Sequence, residues 1–280
     1  MQKVSVVIPT MKGREEMLKR LIASITENCQ IIVVDDEDLL LAGKRNKGAR
    51  QATGEYLFFV DDDNHLKDGA IEKMVENFEE SIGVMGMIAC YSDKKMKIAD
   101  GGSMRSMLTG FTSGERTNDI WPGDDYYGWT YERRCEIYDV DEVANAFMIP
   151  RAIFEEVGGF DEVNFPIDLD EADICRRIKN MGYRVVMNPL AVCYHASQTY
   201  SPIPNFRRSL NAYCMGNHRI RYQRKHLNAL SYWVFVIVFC PVFVCFYTLS
   251  LFWKRNPRMI KPFLHGVLHG LQNRRTNKYK

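Results

Sequence analysis

Neither G-x-G-x-x-G nor G-x-x-x-x-G-K-[ST] occurs in this 280-residue chain. Both motifs depend on a glycine-rich turn that admits phosphate to backbone amides, so their absence removes the common dinucleotide and P-loop readings. Any phosphate bound here must be neutralised by metal and basic side chains instead. C-x-x-C pairs are also missing. Cys29, Cys90, Cys135, Cys175, Cys193, Cys214, Cys240 and Cys245 are scattered, mostly in apolar runs where the thiol acts as a small hydrophobe. This pattern predicts a reducing, cytosolic environment without zinc. Charge of either sign is in little excess at net +2, so nucleic acid is not an expected partner, although Lys and Arg crowd the last quarter of the chain. The opening "MQKVSVVIPT" lacks the charged region, long apolar stretch and cleavage site of a signal peptide. The expectation is a catalytic domain in the cytosol.

What is present is an alternation of short apolar runs and helix-period segments: "VSVVIP", Arg14 to Glu27, "IIVVDD", a helix ending near Thr53, "EYLFFVDDD", then a helix from about Gly69. That rhythm predicts an α/β fold, a Rossmann-like and mostly parallel sheet flanked by helices. Runs such as Ile31 to Val34 and Tyr56 to Val60 are apolar on both alternating faces, as strands covered on both sides must be. From Asp100 to Asp141 periodicity fades and Trp121, Tyr126, Tyr127 and Trp129 accumulate. A loop of that length is usually functional, and its aromatics are expected to face substrate. Order resumes with "VANAFMIPRAIFEEVGGFDE", whose helix begins at Pro150 and stops at paired glycines. A helix from Asp170 to Met181 and the strands "YRVVM" and "VCYHAS" follow.

In open α/β sheets ligands bind beyond the carboxyl ends of the strands. Three such ends here are polar or acidic: Pro9 and Thr10, Asp35 and Asp36, and Asp61, Asp62 and Asp63. Carboxylates gathered at one edge repel one another unless something neutralises them, and a hard divalent cation does so economically. A single aspartate after a strand often caps the next helix, and Asp68 before Gly69 is read that way.

Taken together, "VSVVIPT", "IIVVDD", "KRNKGARQATGEYLFFVDDD", "VGGFDE", "DEADICRRIKNMGYRV" and "VCYHAS" resemble, in order, the motifs of family 2 glycosyltransferases, which have the GT-A fold. The resemblance runs from roughly Val4 to Lys225. It implies that Asp35 contacts the donor's base or ribose, that Asp61 and Asp63 form the DxD motif binding Mg²⁺ or Mn²⁺ at the diphosphate, and that His195 completes that site. Pro9, Thr10, Asp36, Asp62 and Arg45 fall in the implied nucleotide-sugar pocket. The family's base comes from its ED segment, here Asp170 and Glu171, with Glu171 the first choice and Asp170 the second. Asp173 is expected to cap the helix or to pair with Arg176 or Arg177. Between "VVDDED" and "RNKG" only "LLLAGK" intervenes where the family commonly has another helix and strand, so the base pocket is abbreviated and Arg45 becomes a ribose or phosphate contact. The QxxRW motif of processive members is missing after His195, which points to one sugar per encounter.

Ala229 to Trp253 is uncharged throughout and longer than the roughly 20 residues that cross a bilayer. It is read as a transmembrane segment, one span preferred over a re-entrant hairpin at Pro241. The basic stretch before it is expected at the headgroup surface, and Ile260, Phe263, Leu264, Val267, Leu268 and Leu271 beyond it recur at the spacing of an interfacial amphipathic helix, with packing on the catalytic domain as the other reading. The expected organisation is therefore a catalytic domain at 1–205, a basic interfacial segment at 206–228, the apolar segment at 229–253 and a basic tail at 254–280. The activity implied by the resemblance is inverting transfer of one sugar from a nucleotide sugar to a polyprenyl- or dolichyl-linked glycan at the cytosolic face of the cell membrane. GDP-mannose is the first candidate donor, with UDP-sugars and dTDP-rhamnose behind it. Two other readings are a nucleotidyltransferase, which needs a better triphosphate loop than "PTMKGREE", and a membrane-anchored pseudoenzyme that binds nucleotide sugar. Oligomeric state stays open.

Overall fold

A computed structural model describes residues 3–93, 97–113, 125–128, 131–196, 205–253 and 256–275. Its strands are β1 (Val4–Pro9), β2 (Gln30–Val34), β3 (Tyr56–Val60), β4 (Asn64–Leu66), β5 (Ile82–Tyr91), β6 (Ile98–Asp100), β7 (Met104–Arg105), β8 (Thr112–Ser113), β9 (Tyr138–Asp139), β10 (Ala146–Pro150) and β11 (Arg184–His195). Its helices are α1 (Glu15–Ala23), α2 (Leu41–Ala49), α3 (Ala70–Glu76), α4 (Tyr131–Cys135), α5 (Arg151–Glu156), α6 (Asp170–Asn180), α7 (Asn205–His226), α8 (Ala229–Trp253) and α9 (Ile260–Leu271). The main sheet runs β2-β1-β3-β10-β5-β11-β4. β1 is parallel to β2 and β3, and β11 is parallel to β5, while β10 and β4 run against their neighbours. The strands that share a direction therefore end at one edge, where Thr10, Asp35, Asp61 and His195 stand. Apolar side chains pack on both faces of the sheet, one layer around Val7, Phe59 and Phe147, the other around Val6, Phe58 and Met148.

The central strands follow the expected two-sided burial and β2 does not. Ile31 and Val33 are each 39% exposed, because β2 is the sheet's edge and, among the described residues, no helix or strand lies beyond it. The short "LLLAGK" connection leaves nothing to cover them, and Leu21 of α1 packs among Val6, Ile8 and Leu66 instead. On the other face α2 sits unusually close to β1: a Cβ at Gly48 would stand 2.4 Å from Val7 Cγ1. A glycine at that position lets α2 lie low on the sheet and carry Lys44 and Arg45 inward.

Two local expectations are corrected. Asp68 does not cap α3, whose N-cap is Gly69 at φ 72°; the Ile71 amide donates instead to Glu27 Oε1 at 3.0 Å, since the left-handed turn aims the first amides at the segment after α1. Tyr126 does not face substrate either, being 4% exposed and donating to the Pro189 carbonyl at 2.7 Å. Trp121 and Trp129 lie outside the described residues, as does the side chain of Tyr127.

The basic stretch expected at a headgroup surface is largely interior. Asn217, His218, Arg219, Arg221, Tyr222 and Gln223 of α7 are buried. His218 Nδ1 lies 2.9 Å from the Asp168 carbonyl, and Lys225 pairs with Asp161 and Asp173 at 2.7 Å each. The cause is invisible to a charge count: His218, Arg219, Lys225 and His226 of α7 meet carbonyls and carboxylates of the catalytic body. α9 packs on α7 through small residues, since Cβ atoms on Gly266 and Gly216 would stand 2.0 Å from the Tyr213 carbonyl oxygen and 2.5 Å from the Phe263 carbonyl oxygen. Packing on the body is thus the reading realised for Phe263 and Val267, while Leu264, Leu268 and Leu271 remain exposed. Gly266→Val forces the two backbones apart, and overpacking of that kind costs about 3 kcal/mol. Thermal melting should show the loss, and an unchanged Tm would refute the close α7–α9 contact.

Candidate active site

Arg45 occupies the centre of the site. It is 0% exposed, lies over the rings of Phe147 and Phe160 at 5.4 and 5.6 Å, and donates to three carboxylates. Nη1 reaches Asp170 Oδ2 and Glu171 Oε1 at 2.7 Å each, and Nη2 reaches Asp61 Oδ1 at 2.9 Å. Burial opposes the guanidinium's charge, but Glu171, Asp61 and Asp170 overcome it and raise its pKa. A fully buried cation committed to three carboxylates is not available to a ribose or phosphate, so the contact expected of Arg45 is corrected. Its rigid fork of donors holds β3, α2 and α6 together at the strand ends.

The carboxylates respond unequally to this crowding. Burial and the neighbouring Glu171 raise the pKa of Asp170 well above the carboxylate range, whereas Arg45 and the Asp170 hydroxyl overcome burial and hold Glu171 below it. Asp170 Oδ1 is buried without a hydrogen-bond partner, which adds to the cost of a charge on that side chain. Asp170 is therefore the inward member, where burial disfavours its charge. Glu171 is the anion, and its side chain keeps 18% exposure toward the cleft against 0% for Asp170. Leu169, immediately before the pair, sits at φ 61°. A non-glycine residue in the left-handed region costs on the order of 1 kcal/mol, and here it starts α6 with Asp170 inward. Asp173 pairs with Arg177 at 2.8 Å and meets His226 at 2.9 Å, as the helical spacing predicts.

Asp61, in the same crowded pocket, is pushed up to about 7 by desolvation against the pull of Arg45, with Asp63 and Glu171 adding to the rise. Asp62 points the other way: it is 3% exposed, accepts from Thr10 Oγ1 at 2.7 Å and pairs with Arg14. Asp63 turns to the cleft, 3.6 Å from His195 Nε2. The two are brought together because β4 pairs antiparallel with β11, with Asn64 opposite His195, and the Ala196 amide donates to the Asp63 carbonyl at 2.9 Å. Pro9 ends β1, and the Thr10 carbonyl accepts from the Lys44 ammonium at 2.5 Å. Asp36 pairs with Lys47 at 2.8 Å. Asp35 is exposed just after β2.

Arg14, Lys44 and Asp100 were not anticipated. Arg14 also approaches Asp63 at 3.4 Å. Asp100 is desolvated beside Glu171 and His195, and burial raises its pKa. Arg14 lies in a helix-period segment with no motif around it and Asp100 falls where periodicity fades, while Lys44 opens the "KRNKG" motif but the reading there went to Arg45 alone.

Among the described residues no group of three or more His, Cys, Asp and Glu side chains gathers as a metal site. Among the described residues Asp63 and His195 are the pair that faces the cleft, one carboxylate and one imidazole, while Asp61 is turned to Arg45. That pair suits Mn²⁺ or Mg²⁺ when a diphosphate and water complete the coordination, so the residues fit a nucleotide-bridged cation.

Residues 37–135 match the family described as glycosyl transferase family 2, a stretch that holds Arg45 and the Asp61–Asp63 turn but stops before Asp170, Glu171 and His195. The chain is 25% identical over 175 residues to uncharacterized protein y4gI of Sinorhizobium fredii (strain NBRC 101917 / NGR234), covering 59% of this chain and 19% of that protein. This chain thus spans about a fifth of the length of that curated relative. The crystal structure of GalNAc-T7 with UDP, GalNAc and Mn²⁺ superposes with TM-score 0.53 at 15% identity, covering 70% of this chain and 44% of that one. The mannosyltransferase PcManGT from Pyrobaculum calidifontis, in complex with GDP-Man and Mn²⁺, gives TM-score 0.48 at 12% identity over 97% and 88% of the two chains, too distant a likeness to carry an argument. The structural likeness shows the fold alone, a mixed α/β sheet of GT-A type. With the family match it supports a glycosyltransferase.

Proposed function

We propose that this chain transfers one sugar, with inversion, from a nucleotide sugar to a lipid-linked glycan at the cytosolic face of a membrane. The observation that carries the reading is the juxtaposition at one sheet edge of a cation pair, Asp63 and His195, with a charged carboxylate, Glu171, held open to the cleft. Glu171 takes the proton from the acceptor hydroxyl as that oxygen forms its bond to the anomeric carbon. The bond to the diphosphate breaks on the opposite face, and the electron pair leaves with the nucleotide. A divalent ion at Asp63 and His195 supplies Lewis-acid stabilisation of the departing diphosphate when bound. Arg45 favours the charged form of Glu171 and fixes it, and Asp170 lies out of reach of the cleft.

GDP-mannose is the donor we favour, with UDP-sugars and dTDP-rhamnose as alternatives, and Asp35 at the uncovered edge of β2 is the residue we assign to the base or ribose. The acceptor's lipid accounts for the apolar α8. The test is thermal melting with GDP, UDP, dTDP and CDP, each with and without Mn²⁺. Ligand at about one hundred times its Kd adds about 2.7 kcal/mol to the folded state. A metal-dependent rise in Tm with one nucleotide, lost in Asp63→Ala, is expected. A rise that persists in Asp63→Ala moves the cation elsewhere, and no rise with any nucleotide sinks the donor assignment.

A further inference from the structure

The middle of α8 touches the catalytic body. Phe243, near the helix midpoint, and Phe246 pack against Phe111 at 6.3 and 5.8 Å between ring centroids. Phe111 belongs to the hairpin of β7 and β8, which is tied to the sheet domain by the buried Arg105–Glu142 pair. The Arg219 guanidinium of α7 lies over Phe243 and Tyr247 at 5.2 and 5.7 Å and donates to the Gly110 carbonyl. Nearer its start, α8 meets α7 where Arg224 donates to Tyr232 Oη at 2.7 Å. Just beyond the end of α8, Met259 returns to Ser209 near the start of α7, and α9 then runs on α7. The apolar helix thus lies antiparallel along α7 with both ends on the body.

A helix so placed cannot stand upright in a bilayer. Its midpoint would carry Arg219, Gly110 and the hairpin backbone to the depth where an arginine costs roughly 3 kcal/mol or more and irregular backbone has no water to bond. Its outer side is nevertheless continuously apolar. Leu230, Trp233, Ile237, Val242, Phe246, Leu249 and Phe252 are between 55% and 77% exposed, forming one stripe along the roughly 37 Å that 25 helical residues span. Inner residues Tyr232, Phe235, Cys240 and Phe243 are buried. The charge around the stripe selects its occupant: no Asp or Glu occurs anywhere after Asp173, while Arg258, Lys261, Arg274 and Arg275 near α9 are exposed.

We propose that α8 lies lengthwise in one leaflet of an anionic bilayer, its outer stripe in the acyl region and both ends on the catalytic side, in place of the single span expected from its length. The proposal refines the membrane part of the transferase reading and does not depend on the donor. Trp233 and Trp253 then sit at one depth, and the basic residues meet lipid phosphates.

The experiment uses the full chain with vesicles of phosphatidylcholine alone or with phosphatidylserine. Leu230→Cys, Val242→Cys and Phe252→Cys carry an environment-sensitive fluorophore, and quenching by lipids spin-labelled at graded depths reports position. Equal, shallow depths at the three sites are expected, with Gln272→Cys reactive to an impermeant maleimide in intact vesicles, and binding about tenfold stronger to the anionic vesicles. Ile237→Glu with Leu249→Glu should lower vesicle binding about tenfold or more. A profile with position 242 deepest, or Gln272→Cys protected until detergent is added, restores a span and overturns the proposal. Failure to bind vesicles together with a dimer by light scattering assigns the stripe to a second copy and also overturns it. The nucleotide-dependent rise in Tm is read on the same preparations, so failure here is separable from failure of the transferase reading.

Discussion

Glu171→Gln is expected to lower kcat by about 10²–10⁴-fold, the range lost when a positioned base is removed, while the metal-dependent Tm rise with the preferred nucleotide stays as in the parent protein. The change is isosteric, and Arg45 can still hydrogen-bond the amide oxygen, so the geometry at 2.7 Å has no reason to collapse. Its electrostatic consequence is more telling. With the Glu171 charge gone, one cause of the raised Asp170 pKa disappears, while burial, the larger cause, stays. Any charge that Asp170 then takes up lies on a side chain with no exposure to the cleft. If turnover survives Glu171→Gln and is lost in Asp170→Asn, the roles are the reverse of those proposed.

Arg45→Met should be the most damaging single change to stability. It leaves Asp61, Asp170 and Glu171 crowded without their cation, and removing one partner from a buried ionic cluster costs about 3–5 kcal/mol. Protonation of the carboxylates limits the loss, so the deficit grows as pH rises through the range where they ionise. Arg45→Lys recovers only part of it, because one ammonium cannot reproduce the two donor atoms that reach three oxygens. A ribose or phosphate contact predicts something different: unchanged melting without ligand and a higher KM for the donor. Thermal melting of the apo protein therefore separates the two roles, and a Tm within about 1 °C of the parent's rules out the structural one.

The strands β1 and β3, the two halves of β11 and the acidic turn after β3 were readable because a central strand is apolar on both faces whatever its partners, whereas β5 was not singled out. Asp63, His195, Asp170 and Glu171 stood out because their motifs lie at strand ends and a helix start. What adjacency in the chain could not reveal was the direction of each side chain within those motifs. Three consecutive carboxylates look alike in sequence, yet Asp61 faces Arg45, Asp62 turns inward to Thr10 and Arg14, and Asp63 meets His195. That division follows from the tight turn between β3 and β4 and from the pairing of β4 with β11, a contact across more than a hundred residues of chain.

The same boundary runs through the C-terminal third. Composition alone established that residues 229–253 form an apolar helix and that its surroundings are basic, since hydropathy and charge are properties of the residues themselves. What that helix packs against was decided by long-range contacts. Glycines at 216 and 266 let α9 press against α7, and the buried donors of α7 bind it to the catalytic body. Local propensity names an element and its faces; only the long-range contacts, each needing a partner from elsewhere in the chain, decide what those faces meet.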